Sequence, residues 1–232
     1  MRILIVILLL LSCSSISGTI SKAQKKKELK VLIIDSGLSI QYPEILKYVQ
    51  NMAKDQLDND GHGTHVTSTI LKEACPEVKI YVCKDYDKKW LSDKKYNTYI
   101  KCLKSAIDLK VDLINFSGGG YGIQDYEELN ILKQFKDNGI TLVAAAGNDG
   151  RDNDIKPFYP ASYKLSNVIS IGNLNKDGKP NPSSNFGDRV TWFPGTEIEA
   201  YSTEGLEKMT GTSMAAANYT NSLVKRFCKG LK

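Results

Sequence analysis

The sequence predicts a three-layer α/β/α domain built on a mostly parallel central sheet. Three observations predict it. Short aliphatic and β-branched runs alternate along the chain with longer segments of helical period. The short runs are almost continuously apolar, as in strands covered on both faces. Polar residues suited to chemistry, Asp35, Ser117 and Asn148, stand at or just past the carboxyl ends of three such runs. That is the edge where doubly covered sheets carry their functional loops.

The first segment reads as an export signal. Arg2 supplies a short positive start, and Ile3 to Leu11 is an unbroken apolar run, too short for a permanent bilayer-spanning helix. Leu10-Leu11-Ser12-Cys13 resembles the lipobox of bacterial lipoproteins. The resemblance implies acylation of Cys13 and anchoring at a membrane of the cell envelope. An ordinary cleaved signal with release of the protein, and an uncleaved anchor, are the alternatives. Residues 14–28 are Ser- and Lys-rich without apolar period and read as a flexible tether. No room is left between residues 1–13 and the single domain of 29–232 for a folded pro-domain.

The elements follow in order. Leu29 to Asp35 is a buried strand with a carboxylate at its end. Residues 39–60, with Pro43 and the acidic stretch Asp55 to Asp60, look like a polar surface excursion. His62 to Glu73 has a helical face of Val66, Ile70 and Leu71, and Pro76 follows it. Val78 to Cys83 is a strand. Asp93 to Leu109 carries the helical stripe Tyr96, Tyr99, Ile100, Leu103 and Ile107. Val111 to Phe116 is a strand ending in Ser117-Gly118-Gly119-Gly120. Tyr126 to Lys136 is a helix stopped by Asn138-Gly139. Ile140 to Ala146 and Asn167 to Ile171 are strands. Gly211-Thr212-Ser213-Met214-Ala215 then runs into a final helix whose unpaired N–H groups could stabilise negative charge near Ser213.

Composition narrows the function classes. Six of the 31 basic residues but one of the 26 acidic residues lie in the first 30, so the charge of +5 belongs to that segment and the rest is balanced. A balanced body has no excess charge to hold a phosphate backbone, which argues against nucleic-acid binding. Cys75, Cys83, Cys102 and Cys228 allow three pairings, and buried free thiols are the alternative. None has the Cys-x-x-Cys spacing of a zinc site.

Four separated stretches carry the chemistry: Val31-Leu32-Ile33-Ile34-Asp35-Ser36-Gly37, Gly61-His62-Gly63-Thr64-His65-Val66, Ala144-Ala145-Ala146-Gly147-Asn148 and Gly211-Thr212-Ser213-Met214-Ala215. Asp, His and Ser stand in one of the orders known for a Ser-His-Asp triad. Together the stretches resemble the subtilisin-like serine proteases (subtilases) over about residues 29–226. The resemblance implies a nucleophile at Ser213, a general base at His62 and its orienting carboxylate at Asp35. It implies an oxyanion-hole amide at Asn148, and a substrate-binding strand at Ser117, Gly118 and Gly119 that walls the pocket for the residue before the scissile bond. Gly118 would leave that wall open. His65 is expected to pack or to hydrogen-bond. Polypeptides are the implied substrates, with a monomer and no obligatory cofactor; residues 73–79 look too short for the family's calcium loop, so no metal site is recognisable. A catalytically silent surface-binding protein on the same fold is the alternative from another class.

Overall fold

A computed structural model describes residues 28–87 and 92–231. Strand β1 (Leu29–Asp35) forms from a run whose residues point alternately to two helical layers. Val31 and Ile33 face one layer, and Leu32 and Ile34 the other, all within 1% of complete burial. A short helix α1 (Pro43–Leu46), with Pro inside its first turn, and a single 3₁₀ turn (Lys54–Gln56) precede α2 (His62–Ile70). Strand β2 (Val78–Lys84), helix α3 (Ser92–Leu109) and strand β3 (Leu113–Phe116) follow. Next come β4 (Gly120–Tyr121), α4 (Tyr126–Asp137) and β5 (Thr141–Ala145). The chain continues through β6 (Phe158–Tyr159), β7 (Val168–Leu174) and β8 (Val190–Pro194). A hairpin of β9 (Ile198–Ser202) and β10 (Gly205–Met209) leads into α5 (Thr212–Leu231).

The central sheet has six parallel strands in the order β2-β1-β3-β5-β7-β8. Helices α3 and α4 cover one face through Leu103, Ile131, Leu132 and Phe135. Helices α2 and α5 cover the other through Val66, Ile70, Met214, Ala217 and Val224. The predicted three-layer class is therefore what the chain adopts. The strand order reverses between β1 and β3, and the crevice of such a sheet lies outside the carboxyl ends of the strands at that reversal.

Several boundaries differ from the sequence expectations. Helix α2 ends at Ile70, not Glu73: Asn221 of α5 donates its amide to the carbonyls of Ile70 and Lys72 at 2.8 and 2.7 Å, and Glu73 turns away with φ of +60°. The excursion over residues 39–60 is only partly a surface feature, since Ser39, Ile45, Tyr48 and Asp58 are buried. Strands β4, β6, β8, β9 and β10 have no counterpart among the sequence expectations. Strand β8 lies at the sheet edge and is only partly buried, so its residues lack the continuous apolar run of the central strands.

Both disulfides form. Cys75 joins Cys228, tying the far end of α5 to the segment after α2, and Cys83 joins Cys102, tying β2 to α3. Among the described residues no helix is long and apolar enough to cross a membrane, and no group of three or more His, Cys, Asp or Glu is placed to hold a metal ion. The expected signal with Cys13, and the expected tether up to residue 27, lie outside the described residues.

Candidate active site

Asp35 is the last residue of β1, and His62 is the first of α2. They meet because the end of β1 and the first turn of α2 press together. A Cβ on Gly63 would stand 2.3 Å from the Gly37 carbonyl oxygen and 3.2 Å from the Asp35 Cβ, so only glycine fits there. The result is a hydrogen bond of 2.7 Å between His62 Nδ1 and Asp35 Oδ1. The same oxygen accepts the Ser36 N–H at 2.7 Å, which aims the carboxylate at the ring. Asp35 is buried, while the His62 side chain keeps 30% exposure toward the crevice.

Asp58 builds the approach. Its Oδ1 accepts from Ser36 Oγ, Asp60 N–H and Gly61 N–H, and its Oδ2 accepts from both the N–H and the hydroxyl of Thr64. It thereby caps the start of α2 from outside the helix, where Gly61 has no side chain to do so. Burial alone would raise its pKa, but the bonds from the Thr64 hydroxyl and from the Gly61, Asp60 and Thr64 N–H groups hold it below the ordinary carboxylate value. The sequence reading placed Asp58 in a solvated acidic stretch. The signal available was its spacing, three residues before Gly61 and six before Thr64.

Charge around His62 is one-sided. Burial disfavours the imidazolium, yet Asp35, then Asp60 and Asp58, outweigh it and raise the His62 pKa to about 9. Asp85 is a further carboxyl nearby. It lies just past β2, and its N–H donates to the Asp35 carbonyl at 3.0 Å. Burial and the neighbouring Asp35 push its own pKa well above the ordinary value, which favours the neutral acid. His65 is wholly buried, and its Nε2 faces the carbonyls of Ile198 and Glu207 at 2.9 and 3.3 Å. Two acceptors require a proton on Nε2, and burial pushes the His65 pKa down. Its expected hydrogen-bonding role is what the structure shows.

Ser213 is the second residue of α5. A buried polar chain sets α5 against the end of β3. Thr220 donates to Asn115 Oδ1 at 2.8 Å, Asn115 donates to Ser117 Oγ at 3.0 Å, and Ser117 donates to the Ser213 carbonyl at 3.0 Å. The Ser213 hydroxyl donates to the Ser117 carbonyl at 2.9 Å. Asn148, just past β5, accepts the Thr212 N–H at 2.9 Å and the Thr212 hydroxyl at 3.1 Å on its Oδ1. This orientation leaves its Nδ2 as the donor end, beside the first turn of α5, where helical N–H groups lack internal partners. The loop carrying Asn148 is itself pinned. Asn185 Oδ1 accepts from Asp149 and Arg151 N–H, and Asn153 donates to the Ala146 carbonyl. Neither Asn115, Asn153 nor Asn185 was singled out in the sequence, since isolated asparagines carry no spacing signal.

The structure thus brings Asp35 and His62 into contact, and places Ser117, Asn148 and Ser213 around the start of α5 at the same edge of the sheet. A model of the subtilase family, peptidase S8, matches residues 26–225. This chain belongs to the subtilase family. Among related subtilases, the major intracellular serine protease of Bacillus subtilis (strain 168) is 30% identical over 88% of this chain and 69% of its own length. Subtilisin-like protease 2 of Plasmodium falciparum (isolate 3D7) is 30% identical over 87% of this chain and 17% of its own, so the chain spans about a sixth of that relative. Subtilisin E of the same Bacillus strain is 27% identical over 84% of this chain and 54% of its own length. The patellamide maturation protease PatA shares the fold at a TM-score of 0.73 with 24% identity, covering 87% of this chain and 80% of its own. A cold adapted subtilisin-like serine proteinase shares it at 0.71 with 20% identity, over 87% and 76%. A cavity of about 310 Å³ in this subtilase, lined in part by Asn153, Tyr159, Tyr163, Ser170 and Arg189, contains none of Asp35, His62, Asn148 or Ser213.

Proposed function

We propose that this subtilase is a serine endopeptidase working through Ser213, His62 and Asp35. The observation that carries the reading is the 2.7 Å contact of His62 Nδ1 with a buried carboxylate, at the edge where Ser213 opens α5. Asp35 holds the proton on Nδ1 and leaves Nε2 as the base. The Ser213 hydroxyl, which rests on the Ser117 carbonyl, swings about its side-chain torsion toward Nε2. An extended peptide pairing along Ser117, Gly118 and Gly119 competes for that carbonyl and frees the hydroxyl.

Ser213 Oγ then bonds to the scissile carbonyl carbon as His62 Nε2 takes its proton. The Asn148 amide and the Ser213 N–H donate to the oxyanion. The C–N bond breaks, and the amine leaves with the proton from His62. Water, deprotonated by His62, releases the acyl group from Ser213. Export and anchoring through Cys13, or release after an ordinary signal cleavage, are proposed from the first 13 residues, and two disulfides accord with an oxidising compartment. Polypeptides are the proposed substrates, acted on by a monomer.

The test is labelling by a fluorophosphonate, which phosphonylates an activated serine. Wild type is expected to label and to hydrolyse peptides, and Ser213→Ala to do neither. A folded wild type that does not label would overturn the reading in favour of a binding protein on this fold.

A further inference from the structure

In the proposed reaction the scissile carbonyl oxygen lies between Asn148 and the Ser213 N–H, while the peptide backbone runs beside Ser117 to Gly119. The side chain of the residue that contributes the carbonyl is then directed into the gap between two strand ends. One wall is the segment after β3, and the other is the segment after β5. The two strands are direct neighbours, so the gap is a strand-to-strand recess.

Phe158 occupies that recess. It lies on β6, which pairs with β4 so that Phe158 is opposite Tyr121. A Cβ built on Gly119 would stand 2.4 Å from Phe158 Cε1, and one built on Gly147 would stand 3.2 Å from Phe158 Cγ. One ring therefore touches both walls. The Tyr121 ring packs edge-on against it with centroids 5.1 Å apart, which limits its swing. Gly118 does not open the wall as expected from its missing side chain, because the Phe116 ring already reaches within 2.9 Å of where its Cβ would be.

We propose that Phe158 makes this enzyme selective for a small residue, glycine, alanine or serine, immediately before the scissile bond. The inference rests on the endopeptidase reading above. A filled recess costs a large side chain either the burial of its apolar surface or the displacement of a packed ring.

The experiment has two arms on the same protein samples. One aliquot of each sample is titrated with a fluorophosphonate to count active Ser213, and a second, unlabelled aliquot is kept for the cleavage assay. The unlabelled aliquot is given a peptide library randomised around the cleaved bond, with products mapped by mass spectrometry. The expected wild-type result is cleavage after glycine, alanine or serine over leucine or phenylalanine by at least about tenfold in kcat/KM, since single steric mismatches in a pocket are worth about 10–200-fold. Phe158→Ala is expected to shift cleavage toward leucine and phenylalanine by a similar factor. Equal or preferred wild-type cleavage after large residues, with normal labelling, would overturn the inference and leave the endopeptidase reading intact. The wild-type profile decides this even if Phe158→Ala fails to fold. Absence of labelling in folded wild type would overturn both.

Discussion

At His62 the balance of burial and charge sets a pH range. Asp35, Asp60 and Asp58 together prevail over desolvation and put its pKa near 9. A protonated imidazole cannot accept the Ser213 proton, so kcat/KM is expected to rise with pH and level off above about 9. Asp60→Asn removes one of the charges and should move that limb toward lower pH; a limb unmoved by the change would mean that Asp60 does not act on His62. The same shift has a stability consequence. The folded pKa lies above the free value of 6.5, so the contribution is full below pH 6.5 and is lost as pH rises through about 9. Denaturant midpoints measured from pH 6 to 10 should therefore fall, and a His62→Gln variant should show less of that fall. Asn148 is tested by Asn148→Ala. Loss of one oxyanion donor is expected to lower kcat about 10²–10³-fold, the magnitude known from a subtilisin, with little change in KM.

Two helices, α2 and α5, carry His62 and Ser213, and each is held by buried polar contacts. For α2 the holder is Asp58, with five hydrogen bonds to its two oxygens. Asp58→Ala leaves several buried donors without acceptors and is expected to cost about 2–4 kcal/mol in denaturant unfolding. Its lowered pKa contributes stability above the unfolded carboxylate value, lost as pH falls through the folded value. For α5 the holder is the Thr220–Asn115–Ser117 chain. Thr220→Val keeps the volume but strips Asn115 of a partner, at an expected cost of about 1–3 kcal/mol. Because Ser117 also touches Ser213, a fall in kcat/KM should accompany that loss.

For the whole molecule, the long-range constraint is the Cys75–Cys228 bond, which spans 153 positions in sequence. It fixes the far end of the helix that bears Ser213. Loops of this length lose about 4–5 kcal/mol of chain entropy when closed, and measured effects run about 2–5 kcal/mol. A Cys75→Ser, Cys228→Ser double variant is expected to melt roughly 5–15 °C lower, given about 2–4 °C per kcal/mol at this size. Calorimetry with and without reductant checks it. The Cys83–Cys102 bond closes only 19 positions and should matter less.

The sequence by itself determined the three-layer class, because apolar runs buried on both faces have no polar period and leave a direct trace. It also determined the positions of Asp35, His62, Asn148 and Ser213, since each stands in a short local pattern at a strand end or helix start. The hairpin of β9 and β10 and the edge strand β8 left a weaker trace, as half-exposed strands mix polar with apolar residues. Only the tertiary structure decided the cysteine pairing, the burial of Asp58 and the filling of the recess by Phe158. Each depends on groups far apart in sequence, from Asp58 and Ser36 to Phe158 and Gly119, and meets its partner only when the strands align. Proximity across a sheet is set by register and layer packing, which no local spacing of residues encodes.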